Sequence, residues 1–283
     1  MAARRFDAGY FLPIDSQTGE PLAAPGSGLR PSIETRMHLA LPHAVIIHVH
    51  SVNALAWAVR HDGRQQLASR LAGFDWQWIP YVMPGDELAA SIRAARVIAR
   101  PDVFVLENHG LVVAAETVEQ AQNLLSAVEE RVKTPARTFH FASPSKLAQI
   151  IEETGWRLPV HPEVHALAMD DLLQEIARGG VLYPDHAVFL GASPVVRRGE
   201  QSLGTLLENH KRRTGQPASF MLAEGDGVLV RPDLSSSADE MLRCLLLVAS
   251  RVTQGASLKY LSRSDIDALL AWDGEKFRQT VSQ

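Results

Sequence analysis

The run Val45-Ile46-Ile47-His48-Val49-His50 constrains the fold more than any other stretch of this chain. Three β-branched residues in a row with no breaker read as a buried strand. In a strand, residues i and i+2 project to the same face, so His48 and His50 leave the backbone together with their rings a few ångströms apart. Two imidazoles side by side are ligand geometry once a third donor is supplied.

The pattern around this strand alternates in the α/β manner. SIETRMHLAL carries apolar residues at helical spacing from an expected N-cap at Ser32 until Pro42 stops it, and a helix is expected from about residue 53 to 60. FDWQWIPYV reads as a strand, DELAASIRAARVIAR as an amphipathic helix, DVFVLENHG as a buried strand running into a turn and LVVAA as a further strand. TVEQAQNLLSAVEERV reads as a helix capped by Thr117. The succession predicts a layered α/β domain ending near residue 135. TPARTFHFASPS then reads as a linker, and residues 1 to 30, rich in Gly, Pro and Ala, as an irregular lead-in. Beyond the linker, helices are expected near 144–153, 163–178 and 236–251. A β-hairpin is expected around Gly225-Asp226-Gly227, which supplies the backbone freedom of a tight turn. Residues 136–283 are therefore expected to form a second α/β extension.

Composition narrows the function classes. At 283 residues and 46% hydrophobic content the chain can bury a sizeable core. Its 28 Lys and Arg against 32 Asp and Glu, a net charge of −4, are scattered rather than blocked, which argues against nucleic acid and against a membrane surface. No apolar run approaches the roughly 20 residues that span a bilayer, and the first twenty residues lack the apolar core of a signal peptide. A single cysteine, Cys244, excludes an intramolecular disulfide and a cysteine-cluster metal site, so a reducing cytoplasm fits.

The third ligand candidate is His109, in LENHGLVV, where a buried strand gives way to Gly110 and the backbone must turn sharply. Three histidines leave a position on a divalent ion open for substrate or water; Zn²⁺ is the first expectation, although imidazole suits other transition metals. Glu34 is the candidate for proton transfer, early in the helix that leads to the His-Val-His strand, with Ser32 beside it. From spacing alone, Glu34 also reads as a favourable acid in a helix's first turn. His43 is expected at the surface, and His186 in YPDHAVF either as a structural hydrogen-bonding group or as a supporting partner behind the ligands. Lys211, Arg212 and Arg213 read as a solvated loop, and Trp57, Trp76 and Trp78 as core.

PSIETRMHLALPHAVIIHVHS, WIPYVMPGDELA and LENHGLVVAAETVEQA together resemble the class II aldolase/adducin family over about residues 28 to 135. The short spacing through SIETRMHLALPH, together with YPDHAVFLG further on, is more similar to the aldolase portion of bifunctional rhamnulose-phosphate aldolase/dehydrogenases than to compact fuculose-phosphate aldolases, without any GxGxxG of a dehydrogenase portion. The resemblance implies a layered α/β/α fold and His48, His50 and His109 as metal ligands. It implies Glu34 as the acid/base and Ser32 as a substrate-binding residue. The implied activity is that of an aldehyde lyase cleaving a small ketose or hydroxy-keto compound through a metal-stabilised enediolate. Epimerase, dehydratase and decarboxylase activities on the same site, and an adducin-like interaction module, are the alternatives. A homo-oligomer, commonly a tetramer, is also implied. The family's amino-terminal phosphate-cradling turns would precede residue 1, and its Ser-Ser pair is Ser32-Ile33 here, which leaves phosphorylated and unphosphorylated substrates both open.

Overall fold

The structure, a computed structural model, describes residues 12–22, 30–139, 147–199 and 201–272. Most of the expected lead-in and the second half of the expected linker lie outside the described residues. In the amino-terminal half the elements run α1 (Thr35–His38), β1 (Val45–Val49), α2 (Val52–Ala58), α3 (Gly63–Arg70) and β2 (Trp76–Ile79). They continue with α4 (Asp86–Ile98), β3 (Val103–Leu106), β4 (Gly110–Ala115) and α5 (Val118–Val132). The strands form one sheet in the order β1-β4-β3-β2, antiparallel except for the parallel β2/β3 pair.

Period-2 alternation sorts β3 and β4 into two faces. Val103, Val105, Leu111 and Val113 pack with Trp57, Leu67 and Val128 beneath α2, α3 and α5. Phe104, Leu106, Val112 and Ala114 pack with Met37, Leu88 and Ile92 beneath α1 and α4. The result is the expected α/β/α layering. Ile47 and Val49 join the first face and Ile46 the second, so His48 projects toward the α1/α4 layer. Trp57 and Trp78 are buried as expected, and the Trp57 indole N–H donates to the Val132 carbonyl.

The carboxyl-terminal half contains α6 (Leu147–Thr154), a 3₁₀ turn at Pro162–His165, α7 (Ala166–Met169), α8 (Asp171–Gly179), α9 (Pro184–Leu190) and β5 (Val195–Arg197). These are followed by α10 (Leu203–Thr214), β6 (Phe220–Ala223), β7 (Gly227–Val230), α11 (Ser236–Ala249) and α12 (Arg263–Ala271). Its sheet runs β5-β6-β7, and β6/β7 is the expected hairpin, with Gly225 and Gly227 at positive φ. Leu55 of α2 and Val59 just after it lie in the same core cluster as Leu182, Tyr183, Leu242 and Leu246, so one apolar interior runs between the halves. No helix among the described residues is long and apolar enough to cross a membrane.

Several local expectations are corrected. The helix expected from Ser32 is one turn, Thr35–His38. The Ser32 hydroxyl accepts from the Glu34 backbone N–H two residues on, which closes a turn instead of capping a helix. The helix expected over 163–178 is broken at Asp170, whose carboxylate accepts from Leu172 and Leu173 N–H and so restarts the chain as α8. Lys211, Arg212 and Arg213 occupy the last turn of α10, where the helix dipole favours cations. His43 is half-buried against Asp102, 3.2 Å away, and is not a free surface group.

Candidate metal centre

Strand order brings the site together. Because β4 lies between β1 and β3, the β3–β4 turn that carries His109 sits beside the end of β1, with Val49 opposite Leu111. Gly110 permits this approach: a β-carbon there would lie 2.6 Å from the Val49 carbonyl oxygen and 3.3 Å from both the His48 and His50 rings. The left-handed residue of the turn is Asn108, at φ 53, one of the few non-glycine types that accept that conformation. Gly110 serves close approach and not the sharp turn expected of it from the sequence.

One Nε2 from each of His48, His50 and His109 and one oxygen of Glu34 all lie within 4.8 Å of one another. Glu34 Oε1 is 3.1 Å from His48 Nε2, 3.0 Å from His109 Nε2 and 3.8 Å from His50 Nε2, and the His48 and His50 Nε2 atoms are 3.1 Å apart. Donors around a tetrahedral ion with bonds of about 2.0–2.1 Å are spaced by about 3.3 Å, so these separations fit the edges of such a coordination sphere. Ser32 is exposed, and its hydroxyl is engaged with the Glu34 backbone.

The far side of two imidazoles is anchored. His48 Nδ1 is 3.0 Å from the Leu111 carbonyl, an acceptor, so this nitrogen carries the proton and leaves the Nε2 lone pair for a ligand role. His50 Nδ1 is 2.7 Å from Asp185 Oδ2 of α9. The turn bearing His109 is held from the same half: the Asn108 amide donates to the carbonyls of Leu182 and Lys259, and the Lys259 ammonium pairs with Glu107 at 2.6 Å.

Charge at the centre is unbalanced by its own groups. Burial pushes the Glu34 carboxyl up, but hydrogen bonds from His109, His48 and His50 outweigh it and hold the group well below the usual carboxylate range. Burial pulls His50 down, yet its bonds to Asp185 and Glu34 prevail and push it up to about 9. Burial carries His109 down to about 4 despite its bond to Glu34. The His50 proton offsets only one of the two carboxylates, Glu34 and Asp185; a divalent cation would replace that proton and balance both. The donor set, imidazole plus carboxylate, suits a divalent transition ion.

Asp185, Asn108 and Lys259 were not singled out from the sequence. His186 of YPDHAVF is not the supporting partner: its imidazole is fully buried with Nδ1 facing the Leu182 N–H, and its neighbour Asp185 reaches His50. The only local signal was Pro184-Asp185, which reads as a helix start with a first-turn acid. Cys244 is half-buried against the core, and burial raises its thiol, in keeping with an inert role.

Residues 1–135 match the class II aldolase and adducin N-terminal domain. Among characterised and uncharacterised proteins, the chain is 36% identical over 104 residues to the uncharacterized oxidoreductase YuxG of Bacillus subtilis, covering 36% of this chain and 15% of that protein. It is 31% identical over 139 residues to 3-oxo-tetronate 4-phosphate decarboxylase of Escherichia coli K12, covering 42% of this chain and 63% of the relative. The chain thus spans less than two thirds of either relative. Among solved structures, the N-terminal class II aldolase domain of a conserved protein from Thermoplasma acidophilum aligns at TM-score 0.36 and 23% identity, over 44% of this chain and 59% of that one. An aldolase II superfamily protein from Pseudomonas syringae aligns at TM-score 0.34 and 24% identity, over 43% and 51%. Through residues 1–135, the chain is similar to the class II aldolase/adducin family.

Proposed function

We propose that this protein is a metal-dependent aldehyde lyase that cleaves the bond between the α and β carbons of a small ketose or hydroxy-keto compound. The observation that carries the reading is the convergence of three imidazole Nε2 atoms and the Glu34 carboxylate within 4.8 Å. His48, His50 and His109 would hold a divalent ion, with Zn²⁺ as the first choice for a nitrogen-rich set. When bound, such an ion supplies Lewis-acid stabilisation of the oxyanion charge that develops as the bond breaks.

The chain's own groups do the rest. The anchored Nδ1 atoms of His48 and His50 keep those rings from turning. Glu34 is held deprotonated, and its position on the short α1 segment rather than in the sheet leaves the carboxylate 20% exposed on the side from which substrate can come. With the three Nε2 atoms committed to an ion, the hydrogen bonds that depress Glu34 here would be released, leaving Oε1 to accept a proton and return it to the product carbon. Ser32, exposed two residues away, is placed to contact substrate.

A second reading, decarboxylation of a 3-oxo acid, is favoured by the similarity to the Escherichia coli decarboxylase, since loss of carbon dioxide needs the same stabilised oxyanion. A reducing cytoplasmic setting and a homo-oligomer, a tetramer by resemblance, belong to the proposal as well. The test is metal content by elemental analysis of protein purified without chelators, followed by NMR product analysis on a panel of aldol donors and 3-oxo acids. About one divalent ion per chain, lost in His109→Ala, with aldehyde formation reduced about 10²–10⁴-fold in Glu34→Gln, is expected. Carbon dioxide without aldehyde selects the second reading. A protein that takes up no metal after reconstitution overturns both.

A further inference from the structure

We propose that Asp185, contributed by the carboxyl-terminal half, is the positioning residue of the His50 ligand, so that the metal centre is completed by residues outside 1–135. The inference rests on the metal-site reading above and adds to it a residue that lies outside the family segment.

Geometry makes the case. Asp185 Oδ2 lies 2.7 Å from His50 Nδ1, and the Asp185 side chain is only 4% exposed. Its mount is rigid: α9 opens with Pro184, which presets the first turn, and Tyr183, His186 and Ala187 around Asp185 are buried. A carboxylate accepts hydrogen bonds and donates none, so in this pair the shared proton sits on Nδ1, which leaves Nε2, the atom that faces Glu34 and the other imidazoles, to serve as the ligand atom once an ion replaces its proton. His48 has the neutral Leu111 carbonyl in the equivalent place. The two neighbouring ligands are therefore backed by different chemistry, and the one with a carboxylate behind it is the stronger donor toward a cation.

A purely structural role makes a different prediction. If Asp185 only ties the two halves together, removing it lowers the stability of the metal-free protein and leaves metal affinity alone. If it positions His50, affinity falls beyond any change in stability. The contacts of Leu182 and Lys259 with Asn108 run in the same direction, since they set the turn that presents His109 from residues of the same half.

The experiment uses the full chain. Zn²⁺ and Co²⁺ affinities are measured by competition with a chelator of known strength for wild type, Asp185→Asn and Asp185→Ala, alongside the Co²⁺ visible spectrum and urea unfolding of the metal-free proteins. Long-range ¹H–¹⁵N NMR of metal-loaded wild type reads the His50 tautomer without any variant, so it decides even where Asp185→Ala does not fold. The expected result is His50 protonated at Nδ1, a loss of affinity of about ten- to hundredfold in the alanine variant with a shifted Co²⁺ spectrum, and a smaller loss in the asparagine variant, which keeps an acceptor and drops the charge. His50 protonated at Nε2 in the loaded wild type, or variants that fold and bind both ions within about twofold of wild type, would overturn this inference while leaving the metal site standing. Wild type that binds neither ion overturns the metal-site reading itself.

Discussion

His186 shows how burial alone gives a single residue a measurable effect. It is fully buried in α9, its Nδ1 faces the Leu182 N–H, and burial pushes its imidazole down to about 3. In the unfolded chain the same group titrates near its ordinary value of about 6.5. Between those values the unfolded state binds the extra proton, so the contribution is complete above about pH 6.5 and is lost as pH falls toward 3, at up to about 1.4 kcal/mol per pH unit. We expect His186→Asn, whose carbonyl can stand in for Nδ1, to flatten the acid side of the stability–pH curve. Urea unfolding of both proteins between pH 7 and 5 checks this; parallel curves would show that His186 does not titrate on unfolding.

At the scale of elements, α2 has the most to connect. It starts one residue after His50 is passed, with Ser51 as its N-cap: the hydroxyl accepts from Ala54 N–H at 3.1 Å. Its Ala54, Trp57 and Ala58 pack under the first sheet, while Leu55 and Val59 pack into the core shared with α8, α9 and α11. Ser51→Ala is expected to cost about 1 kcal/mol of stability, recovered in Ser51→Asp, as read by thermal or urea unfolding. Long elements with a full period were legible in the sequence: α4, α5, β3, β4 and the β6/β7 hairpin stand where expected, and the Thr117 hydroxyl caps α5 as expected. Short ones were not. Four-residue α1 and the break at Asp170 depend on one or two local side-chain hydrogen bonds that compete with helix propagation, and periodicity over so few residues carries little information.

At the scale of the molecule, the two halves share both a core and a site. Leu55 and Val59 are fully buried by residues beyond position 160, and the backbone of Lys259 donates to the Val59 carbonyl at 2.7 Å. A fragment of residues 1–135 would expose those side chains and remove Asp185 and the Asn108 acceptors together. We expect it to aggregate or to bind a hydrophobic dye such as ANS, and to hold metal more weakly than the full chain. A monomeric, cooperatively melting fragment with undiminished metal affinity would show that the shared interior is dispensable.

What the sequence determined by itself was the set of inward-facing donors and the elements that carry them. Alternation along Val45–His50 puts His48 and His50 side by side, and a buried strand ending in Asn-His-Gly places His109 at a sheet end; both follow from the local geometry of strands. Only the tertiary structure decided what stands behind those donors. Asp185 is 135 residues from His50, and Lys259 is 151 from Asn108. No local period links such pairs: an aspartate at a helix start looks the same in sequence whether it faces solvent or an imidazole. The close packing of α9 and of residue 259 against the end of the first sheet, driven by burial of the common core, is what makes one of them a partner of the site.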